Sequence, residues 1–434
     1  IKNNTALNGG AFFSTTGGTV NLAGGTISGN KATMNSNNAG GGAIYMRGCG
    51  TITISGSAQI TGNSSSLDGG AILMGWGTVT ISGNAKLTNN IASRWGGAIC
   101  QRTDSLYTST INMTGGEISG NRASEGGAVE VLDANCTFNL SGGKITNNNS
   151  TGNGGAVYLN QEPSVLNMTG GEISGNTATG NGGGVYINRT GSVCNLSEGT
   201  ISGNQAGGNG GGIYQNNGKL KLSGTPVVTG NTVSGKANNV YLPSGKTLTI
   251  SGAMSSGASV GVTTANTNYP VEFSEAYGED YTEYFFADDT ANAHVKYNNA
   301  KQLQLAAHDF TVEKAEEQYL KSAASCTEKA VYYKSCACGA RSDTATCTAK
   351  AVCEDCETAY GEFAAHSFTA EKAEEQYLKS AATCTAKAVY YKSCTVCGEK
   401  GTETFSYGTP LDHDWGKWTQ NSDQKTHTRI CKRD

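Results

Sequence analysis

The sequence predicts an all-β chain whose larger part is a right-handed, single-stranded parallel β-helix with three short strands per turn. Three observations carry that prediction. A phrase aliphatic–Ser/Thr–Gly/Asn–Asn recurs, its final Asn falling at Asn30, Asn63, Asn90, Asn121, Asn148, Asn176, Asn204 and Asn231, in steps of 33, 27, 31, 27, 28, 28 and 27 residues. A period of this length marks stacked structural repeats. Between the phrases, residues alternate apolar and polar, as in Thr51-Ile52-Thr53-Ile54, which marks strands with one buried face. Finally, the 434 residues include 61 Gly but only 5 Pro, and 15 % are charged. A disordered chain this polar would carry more charge and more Pro, so many tight turns and stacked small residues are the better reading.

Each repeat offers its strands in a fixed order. The first follows Gly-Gly: Ala43-Ile44-Tyr45, Ala71-Ile72-Leu73, Ala156-Val157-Tyr158 and Gly184-Val185-Tyr186. The second is the alternating stretch, and the third carries the Asn phrase. Equivalent strands recur one period apart and not as hairpins, so they stack in parallel around one core. One inward column reads Val20, Ile52, Val79, Ile111, Phe138, Leu166, Cys194, Leu220, Leu248. Its companion reads Leu22, Ile54, Ile81, Met113, Leu140, Met168, Leu196, Leu222, Ile250. The residue between them is polar on nearly every turn and faces out. Residues 1–252 thus make about nine turns. The strand phase is lost over 253–306, which is rich in Tyr, Phe and acidic residues and reads as a small β cap over the end of the stack.

These repeats resemble the parallel β-helices of bacterial adhesins and autotransporter passengers. The Gly-Gly-Ala-Ile/Val element is also similar to that of chlamydial polymorphic membrane proteins, with Ile-Ser-Gly-Asn here where that family has Phe-x-x-Asn. The resemblance implies a surface-displayed, non-catalytic rod.

Residues 307–434 differ in kind. A 58-residue segment repeats almost verbatim: His308 returns as His366, Cys326 as Cys384, Cys336 as Cys394, and Cys338 as Cys397, one place displaced. Cys384-x9-Cys394-x2-Cys397 followed by His413 forms one candidate Cys3His zinc set. A shortened unit offers Cys347, Cys353, Cys356 and His366, and a third set would use Cys326, Cys336 and Cys338. Disulfides between units are the alternative, since three cysteines cannot all pair within one unit and disulfides are normal outside the cell. The tail resembles cysteine-rich tandem repeats of surface proteins of gut Firmicutes, which implies a spacer.

Function is read from columns. Tyr158, Tyr186, Tyr214 and Tyr241 fall on one outward column over successive turns and are candidate binders of a glycan or host-protein edge. That column begins Tyr45, Leu73, Cys100, Glu130. Lys86, Glu117, Lys144 and Glu172, each four residues before an Asn of the phrase, alternate in sign and read as a stabilising ion-pair stack. The β-helix also hosts pectate lyases and other polysaccharide enzymes, so a carbohydrate-active enzyme is the alternative to an adhesive rod. A net charge of −4 excludes a basic nucleic-acid footprint, and no apolar run is long enough to span a bilayer. Both ends read as cut, so an export signal and a wall anchor are expected outside the sequence, and the location is expected to be extracellular or the cell surface.

Overall fold

The computed structural model describes residues 1–36, 39–103, 106–314, 316–323, 330–347 and 365–433. They form two compact units, Ile1–Ala307 and His308–Asp434.

The first unit is a right-handed parallel β-solenoid of about ten turns. The expected columns stack in register. Val20, Ile52, Val79, Ile111, Phe138, Leu166, Cys194 and Leu220 are successive partners in parallel strands. From Ile52 onward all of them are fully buried. A third inward column, Ile27, Ile60, Leu87, Ile118, Ile145, Ile173, Ile201 and Val228, comes from the Asn-phrase strands and fills the same core. Burying a side chain of this size contributes about 1.5–3 kcal/mol, so the stack is held along its whole length rather than at one nucleus.

Two features differ from the three-strand expectation. The Asn phrase is followed by a further strand of only two residues, as at Lys31–Ala32, Ser64–Ser65, Ile91–Ala92 and Arg122–Ala123, and these make their own parallel sheet. Two residues are too few to show alternation. In the middle coils the second and third strands run together, as in Ser109–Ser119, Cys136–Thr146 and Ser164–Ser174. A register shift at Gly115-Gly116 turns the corner inside the strand.

The recurrent Gly-Gly before the first strand has a steric cause. Its first member is left-handed, with φ +63° at Gly69 and at Gly96. The second packs backbone on backbone: a Cβ on Gly70 or Gly97 would collide with the carbonyl oxygen of the glycine one coil further on.

The Asn phrase ends in a buried amide ladder. Each asparagine donates from Nδ2 to Oδ1 of the next, and the same Oδ1 accepts the backbone N–H of the residue before it. The chain runs Asn30, Asn63, Asn90, Asn121, Asn148, Asn176, Asn204, Asn231, Asn239, at Nδ2–Oδ1 distances of 2.9–3.0 Å. It closes on the carboxylate of Asp288, which accepts from the Asn239 backbone N–H at 2.6 Å and from the Thr263 hydroxyl at 2.7 Å. From Asn30 to Asn231 each amide also donates to a backbone carbonyl of the coil before it, as Asn90 does to Ile60 at 3.0 Å, and burial at the end of the ladder raises the Asp288 carboxyl despite the hydrogen bonds it accepts.

Residues 253–306 lose the stack later than the sequence suggests. Ser259–Thr264 still pairs in parallel with Val227-Val228 and Val240–Leu242, and Phe285–Ala287 pairs in parallel with Val260–Val262. Only Val271–Glu272, Ala293–Tyr297 and Leu303–Ala307 form a separate antiparallel sheet. Phe273, Tyr281 and Phe285 join the solenoid core and seal it.

The second unit holds two copies of one small antiparallel sheet. The strands are Leu320–Ser322, Val331–Ser335 and Arg341–Cys347 in one, and Leu378–Ser380, Ala388–Ser393 and Lys400–Tyr407 in the other. A short hairpin, Thr419–Gln420 with Thr428 and His427, follows.

Candidate metal clusters and a polar flank

In the second unit the repeated strands bring thiols and imidazoles together, in groupings that differ from those expected from spacing. Cys394 and Cys397 meet His366, not Cys384 and His413: His366 Nδ1 lies 3.4 Å from Cys397 Sγ, and the three donors lie within 4.8 Å of one another. The turn after Ser393 folds the Cys-x-x-Cys back onto the start of its own repeat, where Ala370 pairs with Ser393. Tyr377, buried beneath, donates its hydroxyl to the Gly398 carbonyl at 2.7 Å. Cys384 and His413 instead meet Cys431, again within 4.8 Å of one another. In the first copy Cys336 and Cys338 are paired as a disulfide, and His308 Nδ1 lies 3.3 Å from Cys338 Sγ. The closer Cys-x-Cys spacing puts these two sulfurs against each other, where the extra residue of Cys394-x2-Cys397 keeps them apart. Cys326, Cys353 and Cys356 lie outside the described residues, as does the side chain of Cys347. Two thiols with one imidazole suit a borderline-soft divalent ion such as zinc and not calcium or magnesium.

On the solenoid, the tyrosine column faces away from the core yet is largely covered. Tyr158 and Tyr186 are each 7 % exposed, while Tyr214 and Tyr241 are half-buried. The four rings stack at centroid spacings of 5.0, 5.2 and 5.4 Å. Asn188 Nδ2 donates to the Tyr158 hydroxyl at 3.0 Å, and burial pushes the Tyr186 phenol up to about 12. The column is therefore a stacked spine beneath the flanking turns, not a stripe open along its length.

The N-terminal half of the same column leads to a polar cluster that no column revealed. Asp68, with no exposed surface, accepts from Arg94 Nε at 2.8 Å and Nη2 at 2.7 Å and from Arg102 Nη1 at 2.7 Å. The Arg94 guanidinium also lies over Trp95, 3.9 Å from the ring centroid. Next to it, a cleft of about 190 Å³ is lined by Tyr45, Arg47, Leu73, Gly75, Trp76, Arg102 and Thr103. Trp76 stacks on Tyr107 at 4.3 Å and 11°. Arg47 is exposed and makes no ion pair among the described residues. Arg47, Gly75 and Arg102 are equivalent positions on successive coils, two residues after Tyr45, Leu73 and Cys100 of the outward column, but their chemistry does not repeat from one coil to the next. The only signals in the sequence are the charged Glu130 interrupting an aromatic and aliphatic column, and Arg94-Trp95 in the approach to a Gly-Gly.

Glu130 itself is sealed. Its Oε1 accepts from Asn160 at 3.1 Å, its Oε2 has no hydrogen-bond partner, and the residue has no exposed surface. Burial, with the nearby Glu125 adding, holds its carboxyl well above the ordinary range. Burial raises Glu125 too, against the Asn153 backbone N–H that it accepts at 2.6 Å. The alternating charge ladder resolves into two ion pairs, Lys86–Glu117 at 3.4 Å and Lys144–Glu172 at 3.3 Å. Among the described residues, no helix is long and apolar enough to cross a membrane.

No protein-family model, no curated protein and no solved structure matches this chain, so the parallel β-solenoid and the chemistry of its two candidate sites are the ground on which a function is argued.

Proposed function

We propose that this protein is a non-catalytic rod, secreted or displayed on a bacterial surface, whose solenoid binds glycan and whose tail is a zinc-holding spacer. The observation that carries the binding half is the cleft beside Asp68. Two guanidiniums, Arg94 and Arg102, pair with one buried carboxylate, and a third, Arg47, lines the cleft together with Arg102, which leaves an excess of positive charge there. Trp76, stacked on Tyr107, sets a flat apolar wall beside it. An indole face takes the C–H face of a pyranose, and guanidinium pairs a carboxylate through two parallel N–H donors. The occupant that fits both is a sugar carrying a carboxylate. The buried Tyr158 and Tyr186 do not line this cleft.

One observation favours the alternative, a polysaccharide lyase or glycoside hydrolase: Glu125 and Glu130 are neighbouring acids with raised carboxyls. Glu130, however, has no exposed surface, so no substrate oxygen reaches it in this conformation. A general acid must lie within hydrogen-bond reach of the atom it protonates.

Titrating the full chain with oligogalacturonate, and separately with a neutral galactose oligosaccharide, tests the reading. The acidic sugar should bind and the neutral one should not. Arg47→Ala should weaken binding about tenfold or more, as for loss of a charge-assisted hydrogen bond, and Trp76→Ala should weaken it comparably. Equal binding of both sugars, or affinity unmoved by either substitution, would sink it. Cleavage products accumulating in the mixture would favour the enzyme.

A further inference from the structure

We infer that Cys384, His413 and Cys431 form a zinc staple that ties the C-terminal hairpin to the preceding repeat. The inference rests on the reading of the tail as zinc-holding, and goes beyond it by assigning a site that joins two successive repeats within the second unit.

The donors come from different copies of the repeat. The spacing His-x17-Cys occurs three times, as His308–Cys326, His366–Cys384 and His413–Cys431. Cys431 is thus the counterpart of Cys384 one unit on, and His413 the counterpart of His366. In the fold, Cys384 reaches forward to both donors of the following unit. Cys384 and Cys431 are almost fully buried, at 4 % and 5 % exposure, with their sulfurs 3.0 Å apart. That separation lies between a disulfide, about 2.05 Å, and two thiolates on one tetrahedral zinc, about 3.7 Å. His413 adds a third donor to the pair. Its ring nitrogen lies within 4.8 Å of both sulfurs, so two thiols and an imidazole converge on one point, the donor set zinc takes.

The hairpin also needs a staple. Leu411, Trp415, Trp418 and Ile430 are 50, 40, 61 and 80 % exposed, so the segment has no apolar core to offset its ordering. Apart from the bonds within its own turn and strand pair, it is tied by Leu411 N–H to the Thr383 carbonyl at 2.8 Å, Gly416 N–H to that of Ile430 at 2.8 Å, and Lys432 N–H to that of Asp414 at 2.9 Å. All three have an end within a residue of a proposed metal donor: Thr383 precedes Cys384, Ile430 precedes Cys431, and Asp414 and Lys432 adjoin His413 and Cys431. A segment this small is ordered by metal or disulfide, not by burial. On binding, the ion takes both sulfurs as thiolates and the imidazole as neutral base, releasing two thiol protons to solvent.

The test is zinc counting on the full chain, purified without oxygen and read by native mass spectrometry and elemental analysis. Cys431→Ser and His413→Leu should each lose one zinc equivalent relative to the parent. His413→Cys, which keeps a donor, should retain it. Cys397→Ser should lose a different equivalent, so that the double variant with Cys431→Ser loses two. Zinc in the parent that is unchanged in Cys431→Ser would overturn the staple and leave tail zinc standing. No zinc in the parent would overturn both. A Cys384–Cys431 disulfide in a peptide map of the anaerobic protein would overturn the staple alone.

Discussion

The two units of this chain achieve order by opposite means. In the solenoid, every coil adds several fully buried aliphatic side chains and one buried asparagine to columns that run its length. In the second unit, half of the buried apolar residues among those described are cysteines, Cys336, Cys384, Cys394 and Cys431 beside Tyr319, Tyr377, Ala330 and Ala388. Small sheets bury little surface of their own, and the zinc proposed for the tail would make up for it through the clustered thiols and imidazoles. The lesson is that the period of a repeat matters less than what each repeat can bury against the next.

Metal removal should show the contrast at its largest. A chelator added to the reduced chain should abolish the order of 365–433 and expose its thiols to a labelling reagent, while the solenoid's thermal transition stays in place. Structural zinc contributes about 10–16 kcal/mol to folding in small domains, and the groups His366, Cys394, Cys397 and Cys384, His413, Cys431 lie wholly in the second unit. A chelator-induced shift of the solenoid transition would break the comparison.

Next in size is the amide ladder. Asn148 accepts from the Asn121 backbone N–H and from Asn121 Nδ2 at 2.9 Å each, and donates to the Ile118, Thr146 and Asn176 oxygens at 2.9–3.1 Å. Asn148→Ala strands buried donors on one side and acceptors on the other, at about 1–3 kcal/mol for each unsatisfied group. Calorimetry should register a loss of about 3 kcal/mol or more. The half-buried ladder Asn112–Asn139–Asn167–Asn195 makes a single side-chain bond per step, at 2.7–2.9 Å. Asn139→Ala should therefore cost about 1 kcal/mol or less. Equal costs would mean that burial is not what makes the inner ladder strong.

The ladder also marks how far the sequence could be read. Asn30 to Asn231, and the aliphatic columns, announced themselves because each coil repeats one chemistry at one place, and stacking requires that. The tyrosine column was equally visible, but its exposure was not, because the turns that cover it, such as those carrying Asn160 and Asn188, follow no apolar pattern. Asp68, Arg94 and Trp76 were illegible for a related reason: their chemistry does not recur on the neighbouring coils, and only the winding of the chain brings them to Arg102. The metal groups were half legible. Spacing named their residues but not their partners, since His366 is nearly equidistant in sequence from Cys338 and Cys394, and only strand pairing decides which it meets.

A smaller effect sharpens the reading of the flank. The Glu130 carboxyl is raised well above its ordinary value by burial, so the folded chain holds that proton to higher pH than the unfolded chain does. Between the two pKa values the folded state binds more protons, and stability must fall as pH rises through that window. Glu130→Gln removes the slope. It should be more stable than the parent at neutral pH and indistinguishable near about pH 3, where both forms are neutral. A variant less stable at neutral pH would show that the carboxylate is charged in the fold and held by contacts that outweigh its burial.

The smallest effect belongs to the outer charge ladder, and it separates two causes that look alike. Glu117 has a carboxyl lowered first by the Ser119 hydroxyl, which donates at 2.6 Å, and only then by Lys86. Glu172 repeats this with Ser174, at 2.5 Å, and Lys144. Both ion pairs are solvent-exposed, so Lys144→Ala should cost no more than about 0.5 kcal/mol. A lowered carboxyl contributes stability that is present above its unfolded pKa and is lost as pH falls through the folded one. Carbon-detected titration of Glu117 should therefore shift upward more in Ser119→Ala than in Lys86→Ala. The reverse order would make the alternating lysines and glutamates a working ion-pair stack, and would bring the solenoid's surface closer to the tail, where opposite partners on successive units do the holding.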